Sequence, residues 1–546
     1  MRLSIYALRR LRPVKLRSEG VFAHETSSLM DNIKSNLPFI ILISVACVLI
    51  FCITTNGHDW GGDFSAYIMQ ARSLTEGTPL KFIEENRYAM RQSTRPIGPE
   101  AYPWGFPLLL MPLFSVFGMN LIALKLVGII SYLLFLLLLW FGFRNYHSRL
   151  WIFCFVGLFA LNPYLLTFLD NILSDIPFLL VSTFSVLLIG MRVVEKRVLF
   201  SPGIDYFLLG ASIAAAYFIR TNGLLILVTL AITQIIAKLL EIKDGEPATG
   251  PSPATFKGAP SHTCFHIGKL FIPLSPYVTF FCIALVWEIF LPEGGASHAS
   301  ALAKTSPEHL MRNLKYYFEL PLDFLVKVPL KKLLWWTSIP VALFGVIQRR
   351  HSYYHMIIYV FLTVLLYIHW PGTEGLRFIF PVIPFYGLFV LAGVTAFQAG
   401  TTDRERLFRK TVGLLPFILV LFCFALNSVK LARKNLAHHR ELASGPFTAA
   451  SMNMFKFIEQ NTERNSIVIF FKPRVMRMLT GRQSLMICKP EQITRGNYFV
   501  LYLKERVKDQ VSPESVINLT KQGYALLVYE NSEFRVYYLT GSHKAL

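Results

Sequence analysis

Apolar residues in this chain gather into long uninterrupted runs separated by short polar segments, the pattern of a chain built around a bilayer. The first run, Leu37–Thr55, carries no charge and is long enough for a helix to cross a hydrocarbon core of roughly 30 Å. With the runs at 119–143, 151–168, 172–191, 205–219, 223–240, 269–290, 333–348, 353–370, 376–397 and 411–429, it predicts about 11 transmembrane helices. The stretch 205–240 has two readings. Arg220-Thr221-Asn222-Gly223 is either a tight turn between two spans or a break within one span, and the second reading inverts everything after it. Asn-Gly is a strong turn signal and a mid-membrane arginine is costly, which favours the turn.

After residue 429 the pattern changes. A helix-like segment, Ala449 to Gln460, precedes strand-like runs at Ser466–Phe471, Tyr498–Leu503, Tyr524–Tyr529 and Phe534–Leu539, with a turn at Lys472-Pro473. The expected organisation is a cytoplasmic segment 1–36, a transmembrane body 37–429, and a small α/β domain 430–546. Within the body, 56–118 is a long first outer loop with interfacial helices, and the Gly- and Pro-rich stretch 241–268 is a flexible cytoplasmic loop.

Composition agrees with this class. Apolar residues make up 53% of the chain and charged ones 16%, with a mean hydropathy of +0.47, whereas soluble proteins carry about a quarter charged residues. The net charge of +21 does not indicate nucleic acid, because no basic motif interleaved with aromatics accompanies it. Basic residues instead cluster at alternate loops: Arg9, Arg10, Arg12, Lys15 and Arg17, then Arg144/Arg149, Arg192/Lys196, Lys238/Lys243, Arg349/Arg350 and Arg404 to Lys410. The positive-inside bias makes these loops cytoplasmic and leaves 56–118, 291–332, Trp370–Phe378 and the tail on the outer side of a multi-pass inner (plasma) membrane protein. Residues 1–36 are too long and polar for a cleaved signal peptide, so Leu37–Thr55 is expected to remain as an anchor. Of seven cysteines, five fall in apolar runs and Cys264 and Cys488 outside them, with neither metal-ligand spacing nor a disulfide framework. The basic tail can also rest on anionic lipid headgroups.

Candidate chemistry collects on the outer side. His58-Asp59-Trp60-Gly61-Gly62-Asp63 follows the first span, and Phe64, Tyr67, Ile68, Ala71 and Leu74 recur at helical spacing. Asp63 therefore either caps a short interfacial helix or presents a reactive carboxylate; the two roles are compatible. Tyr102-Pro103-Trp104-Gly105-Phe106-Pro107 marks a rigid re-entrant or juxtamembrane segment, for which an aromatic belt is a sufficient account. Asp170 and Asp175 reach the same face, where Asp175 either starts a span or is a functional buried acid. Lys81, Arg87, Arg91, Arg95, Arg220 and Arg377 are outer cations from which an anionic phosphate would need two or more.

These pieces, in this order, resemble the GT-C superfamily of membrane glycosyltransferases. The closest branches are the protein O-mannosyltransferase-like enzymes and the bacterial lipid A aminoarabinose transferases. The resemblance rests on Gly62-Asp63-x-x-x-Tyr67 with Ala71-Arg72-x-Leu74, the Tyr-Pro-x-Gly-x-Pro segment at 102–107, Asn162-Pro163 before Ser174-Asp175-x-Pro177, Arg220, and Arg377-Phe378-x-x-Pro381-x-x-Pro384. Phe457 to Thr462, Lys472-Pro473-Arg474 and Thr480-Gly481-Arg482 resemble the tail of bacterial members.

The resemblance implies a polyprenyl-phosphate sugar donor and a glycan, lipid or protein acceptor on the outer face, with inversion at the anomeric carbon. It makes Asp63 the general base and Asp175 its catalytic partner. Arg377 and Arg220, with Arg95 and Lys81 behind them, would hold the donor phosphate. Asp59, Tyr67, Tyr102, Asp170 and Glu374 would line the substrate pocket, with Asp59 read as structural support. Asp63 is followed by Phe64 where the protein mannosyltransferases carry glutamate, which argues against a protein acceptor. No cofactor and no divalent-metal set is expected. The competing class is a transporter or flippase of lipid-linked glycans, which predicts repeated halves and short loops; neither is visible in the sequence.

Overall fold

The computed structural model describes residues 18–144, 146–243, 272–292, 306–398, 402–505 and 507–540, with side chains from residue 36 onward. The basic N-terminal residues up to Arg17, most of the 241–268 loop with Cys264, and part of the 291–332 loop lie outside the described residues.

The chain enters through α1 (Ser18–Ile53) and then forms three helices on one face of the membrane body: α2 (Asp63–Thr75), α3 (Pro79–Gln92) and α4 (Gly105–Phe117). The body continues through α5 (Leu121–Phe143), the short pair α6 (Arg149–Ala160) and α7 (Pro163–Phe168), α8 (Asp175–Ile189), α9 (Pro202–Ile219), α10 (Leu224–Lys243) and α11 (Ser275–Phe290). An amphipathic helix, α12 (Pro307–Glu319), precedes α13 (Lys331–His369), α14 (Ile383–Phe397) and α15 (Asp403–Ala437).

Among the described residues, 8 helices are long and apolar enough to cross a membrane, and the protein is an integral membrane protein. The expected spans all coincide with apolar helices, with three local differences. The 151–168 run breaks at Leu161-Asn162, where the Asn162 side chain caps α7 and Pro163 occupies its first turn. The expected spans 333–348 and 353–370 are the two halves of α13, broken at Arg349 (φ −113°). In the first half Ser338 bonds Tyr386 at 2.6 Å and Gly345 packs on Phe389, whereas in the second Tyr353 lies against Phe389 and Tyr359 meets Phe385 edge-on, so the halves run in opposite directions along α14. The 376–397 run begins as a 3₁₀ turn, Leu376–Ile379, before α14 starts.

The reading of 205–240 as two spans holds. Arg220 is extended (φ −150°) and a 3₁₀ turn at Thr221–Gly223 leads into α10. Gly223 donates its N–H to the Arg220 carbonyl, and a Cβ at Gly223 would collide with the Ala216–Tyr217 backbone. Only glycine permits so close a reversal.

Beyond α15 the chain forms α16 (Ala449–Asn461), β1 (Ile467–Ile469), α17 (Pro473–Thr480), β2 (Gln483–Leu485), β3 (Tyr498–Tyr502), α18 (Pro513–Lys521), β4 (Ala525–Glu530) and β5 (Phe534–Leu539). The five-stranded sheet has the order β2-β1-β3-β5-β4, with β1 parallel to β2 and β3 and the remaining pairs antiparallel. Four of the strands fall where alternation and β-branching predict them. The three-residue β2 and the short helices α17 and α18 lie outside the expected elements, because each is too short to show a clear period.

The small domain is fused to the first loop. Phe64, Tyr67 and Ile68 of α2 share one buried core with Met454, Phe470, Val475 and Phe534. Trp60 plugs into the domain, its ring centroid 5.1 Å from Phe471 and 5.9 Å from Phe470 and Tyr502. Such aromatic packing buries large apolar areas and fixes the loop against the sheet.

Candidate active site

Asp63 is the first residue of α2, and the capping position belongs to Gly62, whose absent side chain makes no cap. The Asp63 carboxylate is therefore free of the helix end. Its Oδ1 accepts from the Tyr102 hydroxyl at 2.6 Å, and its Oδ2 faces the Arg377 Nη1 and Nη2 at 3.2 and 3.3 Å. Arg377 Nη2 also donates to Glu374 at 3.3 Å. Burial pushes the Asp63 carboxyl up, but Arg377, the Tyr102 hydrogen bond and Arg474 together outweigh it and hold the group below the usual carboxylate range. Burial and the Asp63 charge push the Tyr102 phenol well above its usual value, so Tyr102 stays protonated and donates.

The second acid repeats this arrangement. Asp175 is the first residue of α8 after Ser174, and its nearly inaccessible carboxylate is ion-paired with Arg220. Asp175 thus starts a span and is at the same time a buried acid paired with Arg220. Tyr67 bonds Ser174 at 2.9 Å, joining α2 to the start of α8. The rings of Phe378 and Tyr367 stack, and the Arg220 and Arg377 guanidinium groups lie 5.5 and 5.8 Å from the Phe378 centroid. A close approach sets the spacing of this wall. A Cβ on Gly105 would stand 2.5 Å from the Phe218 carbonyl group, so α4 reaches the end of α9 only because residue 105 has no side chain.

These groups surround a cavity of ≈ 1180 Å³ between the membrane body and the C-terminal domain. Asp63, Tyr67, Tyr102, Asp175, Arg220, Glu374 and Arg377 all line it.

The remaining expected residues do not. Asp59 turns away: its Oδ1 accepts from the Gly61 N–H at 2.9 Å and lies 3.0 Å from His58, which holds the turn before Asp63. Asp170 is taken up by the buried Lys125 at 2.6 Å and by the Thr55 N–H and hydroxyl. Lys125 also donates to the Thr55 and Gly57 carbonyls at 2.8 and 2.6 Å, clamping the chain as it leaves α1. Lys81 is solvent-exposed beside Glu85, and Arg95 bridges to Asp509 of the C-terminal domain at 2.7 Å. Lys81 therefore stays outside the cavity, whereas Arg95 sits at its rim, since Asp509 and the following Pro96 and Ile97 line it.

The sequence reading assigned no site role to Arg474 or Lys472 at the start of α17, nor to Asn222, whose side chain bonds the Tyr367 hydroxyl at 2.7 Å; all three line the cavity. Lys472-Pro473-Arg474 was visible as a motif, but nothing in the linear order placed it opposite Tyr102. Among the described residues, no three His, Cys, Asp or Glu side chains gather as a metal site.

No family model matches the chain, and no curated protein matches it by sequence. Solved structures do. ArnT from Cupriavidus metallidurans in the apo state superimposes with a TM-score of 0.52 at 13% identity, covering 92% of this chain and 98% of that one. The same protein bound to undecaprenyl phosphate gives 0.55 at 12% identity over the same shares. The archaeal oligosaccharyltransferase AglB from Archaeoglobus fulgidus, at 0.49 and 10% identity over 83% of this chain and 64% of that one, is more distant. The chain thus has the membrane fold seen in ArnT.

Proposed function

We propose that the protein is a glycosyltransferase that moves a sugar from a polyprenyl-phosphate donor to a hydroxyl or phosphate acceptor on a lipid, glycan or protein, with Asp63 as general base. The observation that carries this reading is an ionised, helix-free carboxylate flanked by arginines at a large cavity, in a fold whose relative ArnT was captured with undecaprenyl phosphate. In the proposed step the Asp63 carboxylate takes the acceptor proton as the acceptor oxygen attacks the anomeric carbon. The bond from that carbon to the phosphate oxygen breaks, and its electron pair leaves with the polyprenyl phosphate. Attack opposite the leaving group inverts the anomeric centre. Arg377 and Arg220 would meet the charge growing on the departing phosphate, and Asp175 would keep Arg220 aimed at it. The step balances without a cofactor, and none is invoked. The proposed location is the inner (plasma) membrane, with the cavity and C-terminal domain on the outer side, a reading supported by the basic residues of the alternate loops.

The test is release of polyprenyl phosphate from a panel of undecaprenyl-phosphate sugars by purified protein in the presence of candidate acceptors. Donor consumption that is lost in Asp63→Asn supports the reading. A folded Asp63→Asn variant working at the native rate removes the base assignment. Movement of a glycolipid between leaflets without donor consumption would support a transporter instead.

A further inference from the structure

Arg474 belongs to the C-terminal domain, yet it is 4% exposed and its guanidinium reaches the cavity wall. Its Nη2 donates to the Pro99 carbonyl, its Nη1 lies 3.5 Å from the Tyr102 hydroxyl, and its Cζ stands 5.5 Å from the Tyr102 ring centroid. The segment before Tyr102 is moulded around it. Gly98 has a φ of +105°, and a Cβ there would meet Arg474 Nη1 at 2.7 Å and Nη2 at 3.0 Å. The space a side chain would fill is occupied by the guanidinium.

The helix that carries Arg474 is itself fixed. Val475, Met476 and Met478 are buried against α2, and Arg477, buried beside the Phe82 ring, faces Glu85 of α3 at 3.7 Å. Tyr102 in turn makes the shortest hydrogen bond to Asp63, at 2.6 Å. Guanidinium, phenol and carboxylate therefore form one chain from the domain to the candidate base.

We propose that Arg474 is a positioning residue for Asp63, acting through Tyr102, so that the C-terminal domain completes the site. This deepens the assignment of Asp63 as base and rests on it for its catalytic meaning. A tyrosine hydroxyl can point its proton in several directions. A guanidinium on one side of the oxygen directs the remaining proton toward the carboxylate on the other. The other groups facing Asp63 are Arg377 and, next to Arg377, Glu374, with Tyr67, Asp175 and Arg220 behind. All of these come from the membrane body and the first loop; from the domain, Arg474 bonds Tyr102, while Lys472 and Asp509 also line the cavity.

The experiment is an infrared pH titration of the full chain in lipid nanodiscs, following the protonated-carboxyl band that disappears in Asp63→Asn. Turnover is not needed, so failure of the base assignment and failure of this proposal are read separately. In Arg474→Met the midpoint of that band is expected to rise by about one pH unit, a tenfold gain in proton affinity. In a Tyr102→Phe background the same substitution should move it by about threefold or less, because the relay is already cut. An unmoved band in Arg474→Met, or an equal shift with and without the Tyr102 hydroxyl, overturns the proposal. If Arg474→Met does not fold, Arg474→Lys takes its place. A lysine keeps the charge but lacks the planar fork that spans Pro99 and Tyr102 beside Gly98, so a similar rise is expected, and a native midpoint would show that charge alone suffices and overturn positioning.

Discussion

Asp63 and Arg377 stand 314 positions apart in the chain and meet at 3.2 Å, the arginine lying on the carboxylate oxygen that Tyr102 does not use. One oxygen is held by a neutral donor and the other by a cation. That division keeps the carboxylate ionised while leaving it at the cavity surface, and most of the expected behaviour of the protein follows from it.

Replacing Asp63 with asparagine keeps the volume and removes the proton acceptor. Transfer should fall by about 10²- to 10⁴-fold, the usual contribution of a general base. Binding of undecaprenyl phosphate, measured by native mass spectrometry, should persist.

Arg377→Gln removes the cation that most strongly opposes burial at Asp63. The acidic limb of the rate profile is expected below the usual carboxylate range in the native protein and at higher pH in the variant. The sign for stability is parallel. A depressed folded value contributes stability that is fully present above the unfolded value of roughly 3.9 and is lost as pH falls through the folded one. Thermal unfolding followed from about pH 5 downward, to below that unfolded value, should show the loss in the native chain, and less of it in Arg377→Gln.

The Asp175–Arg220 pair is nearly out of solvent on the acid side. Arg220→Met strands that carboxylate and should destabilise the protein by about 3–5 kcal/mol. The double variant Asp175→Asn/Arg220→Met should recover part of the loss, a difference that unfolding midpoints in detergent will read. Equal losses in the single and double variants would show that the pair is not coupled.

Lys125 has no exposed side-chain surface and holds Asp170 together with two carbonyls. Lys125→Met should therefore cost about 3–5 kcal/mol. Asp170→Asn should lower the unfolding temperature while leaving affinity for undecaprenyl phosphate within about twofold of native, because Asp170 clamps the loop and does not line the cavity. A large loss of lipid affinity at native stability would return Asp170 to the site.

Gly105→Ala forces α4 away from the Phe218 carbonyl. The overpacking should destabilise by about 1–3 kcal/mol, and a crystal or cryo-EM structure of the variant should show the Tyr102–Trp104 segment displaced from Arg220.

Much of the architecture was legible in the linear order. Apolar runs separated by Arg, Lys, Pro and Asn-Gly dictate where helices lie, since a backbone in hydrocarbon must satisfy its own hydrogen bonds. The turn at Arg220–Gly223, the helix beginning at Asp63 and four of the five strands were read in this way. Lys125 could also have been found, because a lone charge inside an apolar run demands a buried partner.

Other features were not encoded locally. Asp59 and Asp63 are four positions apart and chemically identical, and both follow the first span. Asp59 turns back locally onto the Gly61 N–H two residues on, whereas only the packed structure brings Tyr102 and Arg377 to Asp63. Lys81 and Arg95 stood behind Arg377 as phosphate ligands, and the structure leaves Lys81 in solvent beside Glu85 and ties Arg95 to Asp509 at the cavity rim. Arg474 lay in a recognised motif without an assigned role, because its neighbour Tyr102 is 372 positions away. The sequence by itself determined the membrane class, the helices and the presence of acids and cations near one face, since these depend on hydrophobicity and local periodicity. Which acid meets which cation was decided only by the tertiary structure, because a pairing energy depends on distance and burial, and neither exists until the helices and the C-terminal domain have packed.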